Sequence, residues 1–255
     1  MEIIGVAIYK RNSDLPPRHS PKELPFINFD GILSKEFSDQ EWSFMNLWVF
    51  YNDGTLYDDD SSGKQFMEIA LAYYANILGT PRESTPGRLT ELKRKWQTEF
   101  SIIAVMRECD VSFNDVVNNT YLRVDLEQCG IPNSDPVKRD VLNLLAGEKV
   151  VLTNNPSLWA RKVLSRIGLM DCFSDVIGME ETNLQIKPNP EAYRVTEQRH
   201  KGFNRIIFCD DALKNLGTAR ERGWLTILYD PAGMRTKQTE GHIVISSFDE
   251  LRQFS

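Results

Sequence analysis

The sequence predicts an α/β protein: a doubly wound parallel sheet with a helical cap domain inserted into it. Its apolar runs are short, rich in β-branched and aromatic residues, and nearly continuous, as expected for parallel strands that are buried on both faces. Helical segments separate most of these runs, and about ninety residues with little strand character follow the first one. The predicted strands are residues 47–51, 149–153, 205–209, 225–229 and 242–246.

Helix signals follow the later strands. The pairs Asn155-Pro156 and Asn189-Pro190 each place an N-cap residue ahead of a first-turn proline. Residues 211–222 form a third predicted helix, which a glycine then ends. This alternation of strands and helices is typical of a parallel sheet with helices on both faces.

The long gap after the first strand predicts the cap. Its amphipathic segments are predicted as helices over residues 66–78, 87–108, 113–117 and 121–129. A linker containing glycine and proline, residues 130–136, leads back into the core. The predicted organisation is an N-terminal extension over residues 1–47, a core over 48–57 and 136–255, and a cap over 58–135.

Composition excludes several classes of protein. The 255 residues carry a net charge of -6, which argues against general nucleic-acid binding, because phosphate contacts need a basic surface. The four cysteines are widely spaced, so they indicate neither a zinc site nor a disulfide framework. No apolar stretch is long enough for a membrane span, and the N-terminus lacks the layout of a signal peptide. An intracellular location is therefore expected, in the cytoplasm or an organelle matrix.

Polar residues follow the predicted strands in a specific order. Tyr51-Asn-Asp-Gly-Thr55 follows the first strand, and Thr153-Asn154 ends the second. Lys187 lies in an Ile-Lys-Pro-Asn-Pro segment, and Asp210-Asp211 follows the strand at 205–209. Because ligands of an open parallel sheet bind beyond the carboxyl ends of its strands, these side chains are expected to line one crevice.

This order resembles that of the haloacid dehalogenase-like (HAD) hydrolases, over roughly residues 48–230. Within that superfamily the chain looks nearest to the pyrimidine 5′-nucleotidase-like group, on Gly-Thr-Leu-Tyr-Asp at 54–58, Tyr-Leu-Arg at 121–123 and Asp-Asp-x-x-x-Asn at 210–215. The resemblance implies a HAD-like doubly wound sheet with an inserted cap. It also implies phosphate-ester chemistry on a carboxylate nucleophile.

The resemblance assigns a role to each of these positions. Asp53 acts as the general acid and base. Thr153 and Lys187 are the remaining catalytic positions. The expected phosphate-binding residues are Asn52, Gly54, Thr153, Asn154 and Lys187, which supply backbone N–H groups, a hydroxyl and a point charge. Mg²⁺, if the site still holds it, is expected on oxygens of Asp211, Asp210 and Asn215 and on the backbone carbonyl of Asp53.

The nucleophile position holds Tyr51 instead of an aspartate. A phenol is neutral at pH 7 and a poor ligand for Mg²⁺, and its ring projects toward the space meant for phosphate. Losing a covalent nucleophile typically costs several orders of magnitude in rate. The sequence therefore predicts a catalytically inactive HAD-like phosphatase homologue that acts as a binding or structural subunit of a larger assembly.

Alternatives remain open at this stage. An active Mg²⁺-dependent phosphomonoesterase, such as a nucleoside 5′-monophosphate phosphatase, would need Asp53 or Tyr51 itself as nucleophile. Using Asp53 would shift the Gly-Thr-Leu turn out of register. A different first motif at residues 26–33 carries Asn28 at the attacking position, so it too would be inactive.

The N-terminal extension, residues 1–47, falls outside the HAD-like unit and contains several prolines. Aromatic residues are typical anchors of protein–protein interfaces, and four occur here: Phe26, Phe29, Phe37 and Trp42. The expected partners are therefore proteins that bind through residues 1–47, with a phosphate or nucleotide as a further ligand. The competing interpretation is that this segment wraps only its own core.

Overall fold

The computed structural model describes residues 46–235 and 238–255. Within these ranges, seven strands form one sheet in the order β3-β2-β1-β4-β5-β7-β6. All neighbours pair in parallel except β6, which runs antiparallel to β7. The strands are β1 (Asn46–Phe50), β2 (Glu148–Leu152), β3 (Asp175–Ile177), β4 (Arg205–Asp210), β5 (Leu225–Tyr229), β6 (Gln238–Thr239) and β7 (His242–Ile245). The predicted doubly wound parallel sheet is confirmed.

The central strand, β1, is buried at every position because it pairs with β2 on one side and β4 on the other. Trp48 and Phe50 pack into the larger apolar cluster of the protein, whereas Leu47 and Val49 pack into a second cluster. Successive strand side chains point to opposite faces, so β1 contributes to both layers of the core. The strand begins at Asn46, two residues before the predicted start of the core at residue 48.

Two strands escape the sequence prediction. β3 has three residues and begins with an aspartate, while β6 has two residues at the edge of the sheet. Such short segments carry too little apolar periodicity to be recognised. The five longer strands are confirmed, and no end of them differs from its predicted position by more than one residue.

The inserted segment is helical, as predicted, with different boundaries. Its helices are α1 (Asp60–Leu78), α2 (Thr85–Lys95), α3 (Ser101–Cys109) and α4 (Phe113–Asn119). The single helix predicted over 87–108 is wrong, because the chain breaks between α2 and α3, where Gln97 adopts a φ of 49°. The helix predicted over 121–129 is also wrong: only Tyr121–Arg123 forms a short 3₁₀ turn.

The return to the core contains a helix that the sequence analysis did not predict, beginning where the predicted linker over 130–136 ends. α5 (Pro136–Leu144) starts at the last linker residue, and the side chain of its N-cap, Asp135, accepts a hydrogen bond from Lys138 N at 2.9 Å. An aspartate directly before a proline is a regular helix start, so the signal was present in the sequence.

The remaining helices are α6 (Ser157–Arg166), α7 (Pro190–Arg199) and α8 (Leu213–Glu221). Asn189 caps α7 as predicted, accepting from Glu191 N at 2.9 Å. The predicted cap at Asn155 is wrong, since Pro156 holds the N-cap position of α6. Within the described residues, none of the helices is both long and apolar enough to cross a membrane.

Candidate functional site

The carboxyl ends of β1, β2 and β4 bring most of the predicted site residues to one edge of the sheet. Tyr51 follows β1 directly, and its N–H donates to Cys209 O on β4 at 2.9 Å, which continues the sheet pairing by one residue. Thr153 follows β2, and its N–H donates to Ile177 O on β3 at 2.9 Å. Asp210 is the last residue of β4. This clustering is what parallel pairing predicts for strand-end residues.

Lys187 lies against the ring of Tyr51. Its Nζ is 3.7 Å from the ring centroid of Tyr51 and 4.9 Å from that of Phe208, so the ammonium sits between two aromatic faces. The same Nζ pairs with Asp210 Oδ2 at 2.7 Å, and both side chains are completely buried. Burial lowers the pKa of Lys187, while the Asp210 carboxylate opposes that shift.

Tyr51 stays protonated at this position. Burial, followed by the nearby carboxylates of Asp53 and Asp210, raises the pKa of the Tyr51 phenol well above its ordinary value. A protonated phenol is a weak nucleophile and a poor ligand for a hard cation. The residue after β1 therefore supplies an aromatic face to Lys187 rather than an anionic oxygen.

Asp210 is surrounded by donors from its own chain. Its Oδ1 accepts from Ala212 N at 2.8 Å and from Asn215 Nδ2 at 3.1 Å. Its Oδ2 accepts from Asn215 Nδ2 at 3.0 Å and from Lys187 at 2.7 Å. Asn215 thus contributes its amide N–H₂ to Asp210, and its Oδ1 is buried without a hydrogen-bond partner.

Asp53 is held by three donors from three parts of the chain. Its Oδ1 accepts from Tyr57 Oη at 2.6 Å and from Trp159 Nε1 at 3.1 Å, and its Oδ2 accepts from Thr153 Oγ1 at 3.1 Å. The residue is 4% exposed. A nucleophile must be free to approach the reacting atom, so this anchoring argues against Asp53 as the attacking group.

Thr153 and Asn154, predicted to bind phosphate, make their hydrogen bonds within the protein. The Thr153 hydroxyl donates to Asp53 and accepts from Asn155 N at 3.1 Å. The Asn154 side chain donates to Lys187 O at 2.9 Å and accepts from Lys187 N at 2.8 Å. Both ends of this amide therefore fix the backbone of Lys187.

Asp211 occupies the exposed rim of the site. Its Oδ1 accepts a long hydrogen bond of 3.4 Å from Thr55 Oγ1. Gly54 passes close by with a φ of +73°, and a Cβ there would lie 2.7 Å from Asp211 Oδ2. A side chain at position 54 would meet both strain and a clash. Burial and the neighbouring Asp210 charge raise the pKa of Asp211 to about 6.

Asn52 lies between Tyr51 and Asp53 and is fully buried, with 0% exposure. Neither its Oδ1 nor its Nδ2 has a hydrogen-bond partner. A buried amide without partners typically costs about 1 to 3 kcal/mol. Its predicted phosphate-binding role concerns the backbone N–H, so the side chain is the unexplained part.

Tyr57, Trp159 and Glu180 also belong to the site, although the sequence analysis gave them no role. Tyr57 and Trp159 anchor Asp53, as described above. Glu180 accepts from Ser157 N at 2.9 Å and from Ser157 Oγ at 2.7 Å. Its carboxylate therefore fills the positive end of α6, a position that suits an anion. The Asn155-Pro156 pair marked this helix start but not its partner, 23 residues away.

The residues at this edge fit Mg²⁺ poorly. Mg²⁺ takes octahedral oxygen coordination, and Tyr51 offers a protonated phenol while Asp210 is fully engaged. Asp211 is the one predicted carboxylate ligand left exposed. The carboxylates of Asp58, Asp59 and Asp60 lie within 4.8 Å of one another nearby in the chain, but exposed acidic groups of this kind are common without a metal ion.

The sheet order, the strand-end crevice and the inserted helical cap define a capped α/β protein of hydrolase type. A family model for haloacid dehalogenase-like hydrolases matches residues 52–223, beginning one residue after Tyr51. The chain therefore belongs to the haloacid dehalogenase-like hydrolase family, and the predicted superfamily is confirmed.

Solved structures agree at the level of the fold. The chain is similar to a HAD phosphatase from Thermococcus onnurineus, with 19% identity, a TM-score of 0.57 and coverage of 82% of this chain and 97% of that chain. It is also similar to a 2-haloacid dehalogenase from Pseudomonas syringae pv. Tomato DC3000, with 18% identity, a TM-score of 0.55 and the same coverage, 82% and 97%. The nearness to pyrimidine 5′-nucleotidases stays a prediction.

Proposed function

We propose that this chain is a catalytically silent member of the HAD-like hydrolase family and serves as a binding or structural subunit. The observation that carries this proposal is the position of Lys187, whose ammonium lies 3.7 Å from the Tyr51 ring centroid. The ring supplies no carboxylate to attack phosphorus, and it covers the cation that would otherwise bind phosphate. Both effects oppose phosphoryl transfer.

The surrounding hydrogen bonds support the same conclusion. Groups suited to binding an anion are already engaged by acceptors of this chain: Lys187 by Asp210, the Thr153 hydroxyl by Asp53, and the start of α6 by Glu180. A phosphate would have to displace these internal partners, and each charge-assisted bond it broke would subtract from its affinity.

A steady-state assay tests the loss of chemistry. The purified chain, given a generic aryl phosphate and Mg²⁺, should release phosphate no faster than the Thr153→Ala variant prepared in the same way. Mg²⁺-dependent turnover that Asp211→Ala abolishes would instead establish an active phosphomonoesterase. A panel of nucleoside 5′-monophosphates would then test the nucleotidase alternative.

A restoration experiment tests the role of position 51 directly. Tyr51→Asp returns an anionic oxygen beside Asp211, and affinity for a hard cation rises with the charge of its ligands. Isothermal calorimetry should therefore detect Mg²⁺ binding to Tyr51→Asp and not to the wild type. Tyr51→Asn is the matched control, since it removes the ring without adding charge. Equal Mg²⁺ binding by all three proteins would contradict the assignment.

The subunit role rests on the N-terminal extension, residues 1–47, most of which lies outside the described residues. Its support is the run of aromatic residues Phe26, Phe29, Phe37 and Trp42 in the sequence. On size exclusion, the full chain should elute as a complex with a second protein at a fixed stoichiometry. A variant with these four aromatic residues changed to serine should elute without that protein. All four cysteines are free thiols, which supports a reducing, intracellular compartment.

A further inference from the structure

One face of α6 contacts the cap along the length of the helix. Its residues Trp159, Lys162 and Arg166 are spaced three and four apart, so they share one side of the helix. We call these three residues the α6 stripe. Each of them reaches a cap residue between Tyr121 and Ile131, which is the segment that follows α4.

The contacts of the α6 stripe are specific. The Trp159 and Tyr121 rings lie 6.1 Å apart between centroids. Lys162 Nζ donates to Leu122 O at 3.0 Å and also to Val124 O. Arg166 Nε donates to Ile131 O at 3.2 Å. Charged donors thus satisfy backbone carbonyls of a cap segment that has only one short turn of helix.

Further hydrogen bonds join the cap and α6 beside the crevice. Tyr121 Oη donates to Asn155 Oδ1 at 3.2 Å, which joins the cap to the residues ahead of α6. Tyr57, in the segment between β1 and α1, and Trp159 both donate to Asp53. The buried carboxylate is therefore shared by the cap entry and by α6.

Separating the cap from α6 would break several of these contacts together. Lys162 would lose two carbonyl acceptors, and the buried rings of Trp159 and Tyr121, 3% and 7% exposed, would meet water. In enzymes with closing caps or lids, substrate enters and product leaves through such an opening. Here the hydrogen bonds and the buried rings act together against it.

We propose that the α6 stripe latches the cap to the core, so that the two move as one body and the crevice does not open to admit a substrate. The latch uses contacts other than the Tyr51–Lys187 pair. A test of the latch is therefore independent of any test of the proposed loss of phosphoryl-transfer chemistry.

Hydroxyl-radical footprinting of the full chain tests the latch. Trp159 at the junction and Trp224 in the core are 3% and 5% exposed, so they form an internal comparison. With the cap latched, Trp159 should be oxidised no faster than Trp224 in the wild type. Oxidation of Trp159 and Tyr121 many times faster than that of Trp224 would show that the cap opens freely, and it would overturn the proposal.

Lys162→Met then removes the charged donor while keeping an unbranched apolar stem. Lys162→Met removes two hydrogen bonds from a charged group, and losing even one of them should raise the oxidation of Trp159 about tenfold, with Trp224 unchanged. Lys149→Met is the matched control, because Lys149 Nζ also donates to a backbone carbonyl, Gly147 O at 3.1 Å, but within the core. It should leave Trp159 protected.

Two results of the variant experiment would reject the latch: unchanged oxidation of Trp159 in Lys162→Met, or an equal rise at Trp159 and Trp224. Lys162→Arg keeps a charged donor and should keep Trp159 protected. If Lys162→Met does not fold, the wild-type comparison between Trp159 and Trp224 still decides the question.

Discussion

The residues after β2 and at the end of β4 meet the first two residues after β1 at the same edge of the sheet, but the two groups use their polar side chains differently. Thr153, Asn154 and Asp210 match the family pattern, and each is bound to another residue of the site. Tyr51 departs from that pattern, and the amide of Asn52 beside it binds nothing. The comparison teaches that a residue matching a catalytic motif is weak evidence for chemistry when the same side chain also holds the fold together.

The largest effect is expected where the β4 loop is bound most tightly. Asp210→Asn keeps the shape of the side chain but leaves the buried Lys187 ammonium without its counter-charge. We expect the free energy of unfolding to fall by roughly 3 to 5 kcal/mol, as is usual when one partner of a buried ion pair is removed. Urea denaturation of the two proteins would measure it.

The neighbouring Asp211→Asn is the control for that experiment. This carboxylate is exposed, and its pKa is raised, so its charge is disfavoured by folding. The substitution should leave the free energy of unfolding unchanged or raise it. Equal losses from Asp210→Asn and Asp211→Asn would mean that the buried ion pair with Lys187 is not the cause of the loss.

A smaller effect is expected from Tyr57→Phe, which removes only the hydroxyl that donates to Asp53 at 2.6 Å. Hydrogen bonds to charged groups contribute about 1.5 to 3 kcal/mol, and the free energy of unfolding should fall by that amount. A double-mutant cycle with Asp53→Asn separates this bond from packing effects. A coupling energy near zero would show that Tyr57 does not anchor the carboxylate.

Asn52→Leu should act in the opposite direction. It replaces a fully buried amide that lacks partners with an apolar side chain of similar size. The free energy of unfolding should rise by about 1 kcal/mol or more, since an unsatisfied buried polar group is costly. Chemical denaturation with matched slopes would measure the gain. A loss of stability would indicate that the Asn52 amide is satisfied in solution.

The smallest expected effect on stability comes from a residue away from the crevice, His242 on β7. Burial and the Arg220 charge lower the pKa of His242 below its ordinary value of 6.5, against the weaker opposing effect of Glu240. The unfolded chain then binds the proton more tightly, so His242 contributes stability above pH 6.5 that is lost as the pH falls below it. The difference in stability between wild type and His242→Gln should shrink on acidification, which pH-dependent thermal unfolding would show.

Much of this arrangement was predictable from strand ends. Thr153 and Asp210 were placed together because parallel strands deliver their carboxyl-terminal residues to one crevice. Lys187 lies in the connection between β3 and α7, and only the family resemblance placed it there. The anchoring of Asp53 by Trp159 was not predictable, because the two residues are 106 positions apart and an indole N–H leaves no local pattern. The break between α2 and α3 was missed because apolar periodicity continues across it.

The amide of Asn154 has one further consequence. By donating to the carbonyl and accepting from the N–H of Lys187, it mimics the peptide group of an adjacent strand. The backbone position of Lys187 is thereby fixed by a residue at the end of β2, and not only by the connection between β3 and α7. The side chain at the end of β2 therefore fixes where the ammonium lies in the crevice.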